Sequence, residues 1–123
     1  MAVGLSTTNV ANVWLNELDT LATHGKLHIG DPGAAGTTTP SLETLRKAIT
    51  WSAASGGSKS MSGTLSWTSW SQGNETESHL STWSNITVGN FAFSVAFTTP
   101  RAVVNGDTLT VTSLSVSQAP LAT

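Results

Sequence analysis

The sequence predicts a mainly β fold, an antiparallel β-sandwich or small barrel of six or seven strands with one N-terminal α-helix packed on it. Large apolar residues occupy every second position over residues 91–97, and apolar residues or glycine alternate with polar ones over residues 61–67, which is the period of a half-buried strand. Asn105-Gly106 is a strong signal for a β-hairpin turn. Turn signals recur about every 8–12 residues, as they do in sandwiches and small barrels.

The helix is predicted for about residues 8–23. Thr7 or Thr8 is the expected N-cap, and Gly25 stands where a helix commonly ends in the left-handed conformation. Apolar residues recur at spacings of three and four and form one stripe: Val10, Val13, Trp14, Leu18 and Leu21. We expect this stripe, with Trp14, to pack on the sheet.

Residues 26–117 are predicted to be β-rich. Asp31, Pro32 and Gly33 form a structural turn, because proline fixes φ and glycine accepts a positive φ. Residues 42–51 are ambiguous, since Ser41 could cap a short helical turn while residues 49–51 favour a strand. We expect Pro100 to end the strand that contains residues 91–97. A β-bulge near residues 112–113 would reconcile two alternation phases.

Length and composition favour one domain over residues 1–123 that associates with other proteins. Only 10% of the residues are charged, against about 25% in an average protein, and serine and threonine take their place. A near-neutral, hydroxyl-rich surface promotes association, so we favour an assembly subunit over a secreted or sugar-binding β domain. The five scattered Lys and Arg and the absence of a long apolar run predict no nucleic-acid and no membrane partner.

The titratable residues do not form a recognisable catalytic or metal motif. His24, His28 and Asp31 resemble a metal site, but Gly25 separates the two histidines, and we expect His28 to be a hydrogen-bonded structural residue. Without cysteine the chain has no thiolate ligand or nucleophile. We therefore predict no metal and no cofactor.

Glu75 and Glu77 are the one close pair of carboxylates and would share a strand face. A glycosidase uses such a pair, yet a solvated strand edge is the favoured interpretation. A small hydrolase that combines His79 with one of the two carboxylates is the least favoured alternative. No catalytic residue is assigned, and the protein is predicted not to be an enzyme.

The tryptophans are candidate contact residues. Trp67 and Trp70 are three residues apart, so on a strand they point to opposite faces, and one of them is expected at the surface as an interface or ligand-stacking residue. Trp14, Trp51 and Trp83 are expected to pack in the core.

Five segments, in order along the chain, resemble a family of small virion proteins of tailed actinobacteriophages, which are labelled tail fibre, minor tail or minor capsid proteins. Residues 27–33 (LHIGDPG) are similar to its LHTADPG segment, and residues 46–51 (RKAITW) and 54–58 (ASGGS) to its R-x-A-I-x-W and ASGGS segments. Residues 78–83 (SHLSTW) are similar to its THxxLW segment, and residues 106–111 (GDTLTV) precede a final strand. Residues 42–45 and the tryptophan-rich residues 67–70 depart from the pattern, which leaves the place on the particle open.

The resemblance implies a structural component of a tailed bacteriophage virion, assembled in the host bacterial cytoplasm. We favour a head decoration (minor capsid) protein on the outside of the capsid. The alternatives are a minor tail or tail-fibre protein at the tail tip, and a carbohydrate-binding module that contacts the host envelope through Trp67 or Trp70. The expected partners are the major capsid protein or tail proteins and further copies of the chain, with a trimer as one form. The family implies no catalytic residues; Arg46, His28 and His79 would be polar core or interface anchors.

Overall fold

The computed structural model describes residues 3–122, which contain nine strands behind one N-terminal helix. The helix consists of a π-helical turn at Thr7–Ala11 followed by α1 (Asn12–Asn16) and α2 (Leu18–Leu21). The strands are β1 His24–His28, β2 Lys47–Ala48, β3 Thr50–Trp51, β4 Ser58–Ser62, β5 Leu65–Trp67, β6 Glu75–Trp83, β7 Phe91–Val103, β8 Leu109–Val111 and β9 Ser115–Ser117.

The strands form three antiparallel sheets of a small β-sandwich, and the described strands close no barrel. The largest sheet has the order β2-β1-β6-β7, a second has β3-β4-β9, and β5 pairs with β8. The predicted mainly β, antiparallel class is confirmed. The strands outnumber the six or seven expected, because Gly63, with a φ of +79°, divides the predicted strand at 61–67 into β4 and β5.

The core lies between the sheets. Leu27 of β1 faces Leu80 of β6 in register, and both side chains are fully buried. One apolar cluster joins them to residues of β5, β7 and β8 and of the connecting segments: Ile49, Leu65, Trp67, Trp70, Val103, Leu109 and Leu114. Side chains alternate along a strand, so His28 and its register partner His79 lie on the opposite face of the main sheet.

The helix begins and ends differently from the prediction. Ser6, and not Thr7 or Thr8, caps it, since the Ser6 hydroxyl accepts a hydrogen bond from the Asn9 N–H at 3.2 Å. Gly25 does not terminate the helix, because the last helical residue is Leu21 and Gly25 lies inside β1. A Cβ at Gly25 would lie 3.1 Å from methyl groups of Leu65 and Leu80, so glycine here permits close packing of the sheet against the core.

β7 continues past Pro100 to Val103, so the prediction that the proline ends the strand is wrong. The register between β6 and β7 changes there, since Glu77 pairs with Arg101 whereas His79 pairs with Ala96. Residues 97–100 therefore bulge away from β6. Because residues 97–100 are not paired with β6, the missing N–H of Pro100 removes no hydrogen bond between the two strands.

Two other connections differ from the expected ones. Residues 105–106 form a turn in which Gly106 has a φ of +94°, but the turn does not close a hairpin, because β8 pairs with β5 and not with β7. At residues 112–114 the chain passes from the sheet of β8 to the sheet of β9, so the change of phase marks a change of sheet rather than a bulge. Residues 42–46 form no helix.

Candidate functional site

The N-terminal helix docks on the sandwich through a polar face. Asn12, Asn16 and Asp19 follow one another at spacings of four and three, which places them on one side of a helix. The side-chain oxygen of Asn12 accepts a hydrogen bond from the Gly57 N–H, and that of Asn16 accepts one from the Ala54 N–H, both at 2.9 Å. The helix thus satisfies backbone donors of residues 54–57, the loop that leads into β4.

Lys59 of β4 completes this polar contact. Its ammonium group is fully buried and donates to the side-chain oxygen of Asn16 at 2.8 Å and to the Ser52 carbonyl at 2.9 Å. It also forms an ion pair of 3.0 Å with Asp19, whose side chain is half exposed. An ammonium group has three N–H donors, and each has an acceptor here. The buried charge is therefore fully compensated.

Part of the predicted apolar stripe of the helix points away from the sandwich. Val13, Trp14 and Leu21 are each between 50% and 54% exposed, whereas Ala11, Leu15 and Ala22 are buried. The prediction that the apolar stripe and Trp14 pack on the sheet is therefore wrong. The acceptors around Lys59 hold the helix in this orientation, with Asn16 and Asp19 beside the buried ammonium group. We call Val13, Trp14 and Leu21 the outer stripe.

A second exposed surface surrounds Arg46. The guanidinium group lies 4.3 Å from the ring centroid of Trp83 and donates through Nη1 to the carbonyls of Asn85 and Val88 at 2.9 and 2.8 Å. These bonds hold the loop at residues 84–90, which exposes Ile86 and Val88. Two effects lower the pKa of Lys26 on β1: burial, which is the larger, and the positive charge of Arg46. We call Lys26, Arg46, Ile86 and Val88 the Arg46 patch.

Trp67 and Trp70 lie in the core, each only 2% exposed. The indole N–H of Trp67 donates to the Leu45 carbonyl at 2.8 Å, and that of Trp70 donates to the Gly73 carbonyl at 2.9 Å. The expectation that one of them lies at the surface is wrong, since residue 70 follows the end of β5 and the strand alternation no longer applies to it. Neither ring is accessible to a sugar or a partner in this chain.

The two neighbouring glutamates converge on Ser41. The Ser41 hydroxyl lies 2.6 Å from Oε2 of Glu75 and 3.1 Å from Oε1 of Glu77, and the Leu42 N–H donates to Oε1 of Glu75 at 2.8 Å. The pair does share a strand face, but Glu77 is fully buried, so a solvated edge is the wrong description of it. The carboxylates fasten residues 41–42 to β6.

The surroundings of this pair shift the pKa values of the two glutamates in opposite directions. Burial, followed by the hydrogen bond with Glu75 and the charge of Glu75, raises the pKa of Glu77 to about 8. Burial acts in the same sense on Glu75, but hydrogen bonds with Glu77, Ser41 and the Leu42 N–H outweigh it and lower the pKa of Glu75. Oε2 of Glu77 meets no other donor or acceptor within residues 3–122. Near neutral pH the pair therefore shares one proton.

This arrangement does not form the site that a hydrolase needs. A glycosidase presents both carboxyl groups to a sugar, whereas Glu77 is sealed inside the protein. The Nδ1 atom of His79 is hydrogen-bonded to the Ser78 hydroxyl at 2.8 Å. Within residues 3–122 His79 makes no hydrogen bond to either carboxylate, and the hydrogen bonds of the two glutamates indicate a structural role for the pair.

His28 lies in a chain of hydrogen bonds on the outer face of the main sheet. Its Nδ1–H donates to the Thr38 carbonyl at 2.9 Å, so Nε2 accepts from the Ser81 hydroxyl at 2.7 Å, and Ser81 in turn accepts from the indole N–H of Trp83 at 2.8 Å. Burial lowers the pKa of His28, which keeps the ring neutral. The expectation of a hydrogen-bonded structural histidine is confirmed. In the described part of the chain, no three His, Cys, Asp or Glu side chains are grouped so that they could hold a metal ion.

The polar contacts around Lys59 and Ser41, which the sequence does not reveal, depend on distant partners. The spacing of Asn12, Asn16 and Asp19 is visible in the sequence as a second, polar stripe, but it does not identify Lys59 as the group that this stripe surrounds. Ser41 was considered as a helix cap, whereas its hydroxyl is taken up by carboxylates more than thirty positions further along the chain.

The chain was compared with known families and proteins. A family model described as podophage GP4 fiber I protein gp80 matches residues 19–118. The chain belongs to this family. No curated protein matches it significantly. The match contains all five segments on which the virion resemblance rests, and of the outer stripe it contains only Leu21.

Membership of a phage fibre family identifies the chain as a structural component of a bacteriophage virion, where it associates with other virion proteins. Among residues 3–122, no helix is long and apolar enough to cross a membrane. The outer stripe and the Arg46 patch are two of the surfaces on which this chain exposes large apolar side chains.

Proposed function

We propose that this protein is a tail-fibre-type structural protein that occupies the phage tail and acts through binding alone. The observation that carries the proposal is the match of residues 19–118 to a fibre protein family. This match favours the tail-fibre alternative over head decoration, which the sequence analysis had favoured. The expected neighbours are tail proteins and further copies of this chain.

The fold supports a role in assembly. Its polar groups are used internally, as Lys59, His28 and the Glu75–Glu77 pair show, and its outer surface is rich in hydroxyl side chains with few charges. Such a surface suits packing against neighbours. The lack of catalytic activity, an actinobacterial host and assembly in the host cytoplasm belong to the same proposal.

The structure does not support the carbohydrate-binding alternative. It required Trp67 or Trp70 at the surface, where a sugar ring could stack on the indole. Both rings are buried and hydrogen-bonded to backbone carbonyls. Binding to the host envelope through either of them is therefore not part of the proposal.

Copy number and position on the purified virion test the proposal. Quantitative mass spectrometry against the major capsid protein would give the number of copies, and gold-labelled antibodies would locate them by electron microscopy. A handful to a few dozen copies at the tail is the expected result. Hundreds of copies over the head would establish decoration of the capsid instead and would overturn the assignment to the tail.

A further inference from the structure

We propose that the outer stripe of one copy packs against the Arg46 patch of a second copy. The contact follows from the fold and from the distribution of charge, so it is independent of the place of the protein on the particle. It joins two different surfaces of the same chain. Two copies can make it reciprocally, and a series of copies can make it head to tail and close into a ring.

The outer stripe is an apolar helix face that the rest of residues 3–122 leaves half exposed. The polar side of the helix already supplies its attachment, through Asn12, Asn16 and Asp19. The half-exposed Val13, Trp14 and Leu21 together offer on the order of 300 Å² of apolar surface, which is the size of a functional patch on a monomer. A stable interface buries about 800 Å² per partner, so the stripe can form its centre, with hydroxyl side chains around it.

The charges near the stripe argue against stripe-on-stripe pairing. Residues 3–23 contain Glu17 and Asp19 but no lysine or arginine. Glu17 lies three residues after Trp14 and four before Leu21, so it belongs to the same side of the helix. Two stripes in contact would bring two Glu17 carboxylates together without a cation. The occupant must therefore be apolar and basic.

The Arg46 patch has this character. Of the five lysines and arginines of the chain, Lys59 is used inside the protein, while Lys26 lies beside Arg46, which holds the loop that exposes Ile86 and Val88. Burial and then the charge of Arg46 lower the pKa of Lys26, so a carboxylate placed beside Lys26 would be stabilised there. The patch thus complements the outer stripe in both charge and hydrophobicity.

The mass of the full-length protein in solution tests the contact, by native mass spectrometry and sedimentation velocity over a wide range of concentrations. We expect an oligomer whose dissociation constant rises at least about 30-fold with Trp14→Ala, as for a tryptophan at the centre of an interface. Glu17→Lys and Lys26→Glu should each weaken association several-fold. The double variant should restore it to near the wild-type value, because it exchanges the two charges.

Arg101→Glu is the matched control, since it reverses an exposed charge on β7, outside both surfaces. Circular dichroism would show that each variant is folded, which is expected because the changed side chains lie at or near the surface. A protein that stays monomeric throughout, or an oligomer indifferent to Trp14→Ala, would overturn the proposal. So would a double variant that associates no better than either single charge reversal. None of these results bears on the position of the protein in the virion.

Discussion

Glu77 is a buried carboxyl group that keeps its proton near neutral pH, and this gives the protein a specific pH dependence. In the unfolded chain the pKa of Glu77 has the ordinary glutamate value of 4.5, whereas in the folded chain this pKa is about 8. Between these values the folded state binds more protons, so the free energy of unfolding falls as the pH rises, by up to about 1.4 kcal/mol per pH unit. Above the folded pKa no further loss is expected.

Glu77→Gln should remove this dependence, because glutamine resembles the protonated acid and cannot ionise. Urea unfolding between about pH 7 and pH 8.5 would measure it, a range in which His28, with its lowered pKa, no longer titrates. We expect the wild type to lose stability relative to the variant across this range. Parallel curves for the two proteins would show that Glu77 is ionised in the folded state.

Lys59 is the other buried ionisable group that holds elements together. Lys59→Met keeps most of the side-chain volume but removes three charge-assisted hydrogen bonds, so we expect a loss of about 2–4 kcal/mol in the free energy of unfolding. The half-exposed Asp19 can regain water, which limits the loss. Lys47→Met, at a half-buried position of β2, is the control and should change stability by less than about 0.5 kcal/mol. Equal urea midpoints for the two variants would contradict a structural role for Lys59.

Individual polar partners were the least predictable part of the molecule. Ser41 is more than thirty positions from Glu75 and Glu77, and only the folded chain brings it to them. The sequence does show that Glu75 and Glu77 share a face, because that depends only on the alternation of a strand. Their burial depends on which loop covers the strand, and local pattern contains no information on this.

At the scale of the element, the orientation of the N-terminal helix is the feature most open to test. Trp14 is 54% exposed and its neighbour Leu15 only 2%. In dilute protein, below the dissociation constant of any oligomer, Trp14→Ser should change the free energy of unfolding by less than about 0.5 kcal/mol. Leu15→Ala should lower it by about 2–3 kcal/mol, since it removes buried methyl groups. The opposite ranking in chemical denaturation would mean that the apolar stripe faces the sandwich.

Elements that depend on local pattern were predictable, and pairings that depend on distant segments were not. The alternation at residues 91–97 locates β7, but Pro100 misleads because the four-residue bulge that accommodates it is set by β6. The N-terminal helix likewise has one feature set by local pattern and one set by a distant partner. Its existence follows from periodicity, whereas its orientation depends on Lys59 on β4, a partner forty positions from the nearest docking residue, Asp19.

For the whole molecule, the fold class and the virion assignment were accessible from the sequence because both rest on features spread along the chain. Many short alternating segments predict a β-sandwich even when single pairings are wrong, and the expectation of a virion protein agrees with the match of residues 19–118 to a phage fibre family. The division into three sheets was not accessible, because it requires the pairing of β5 with β8 and of β4 with β9. Those pairings join segments more than forty residues apart.

The single domain expected for residues 1–123 leads to a prediction about cooperativity. One apolar cluster contains residues of the main sheet, such as Leu27 and Leu80, and of the β5–β8 pair, such as Leu65 and Leu109. Neither the main sheet nor the β5–β8 pair can keep its apolar face buried when the other is lost, so the two should unfold in one transition. Circular dichroism reports the strand content, and tryptophan fluorescence includes the signals of Trp67 and Trp70 in the core. Both should give the same urea midpoint. Leu65→Ala should shift both signals together. Two separate midpoints, or a shift of only one signal, would mean that the β5–β8 pair is an independent folding unit.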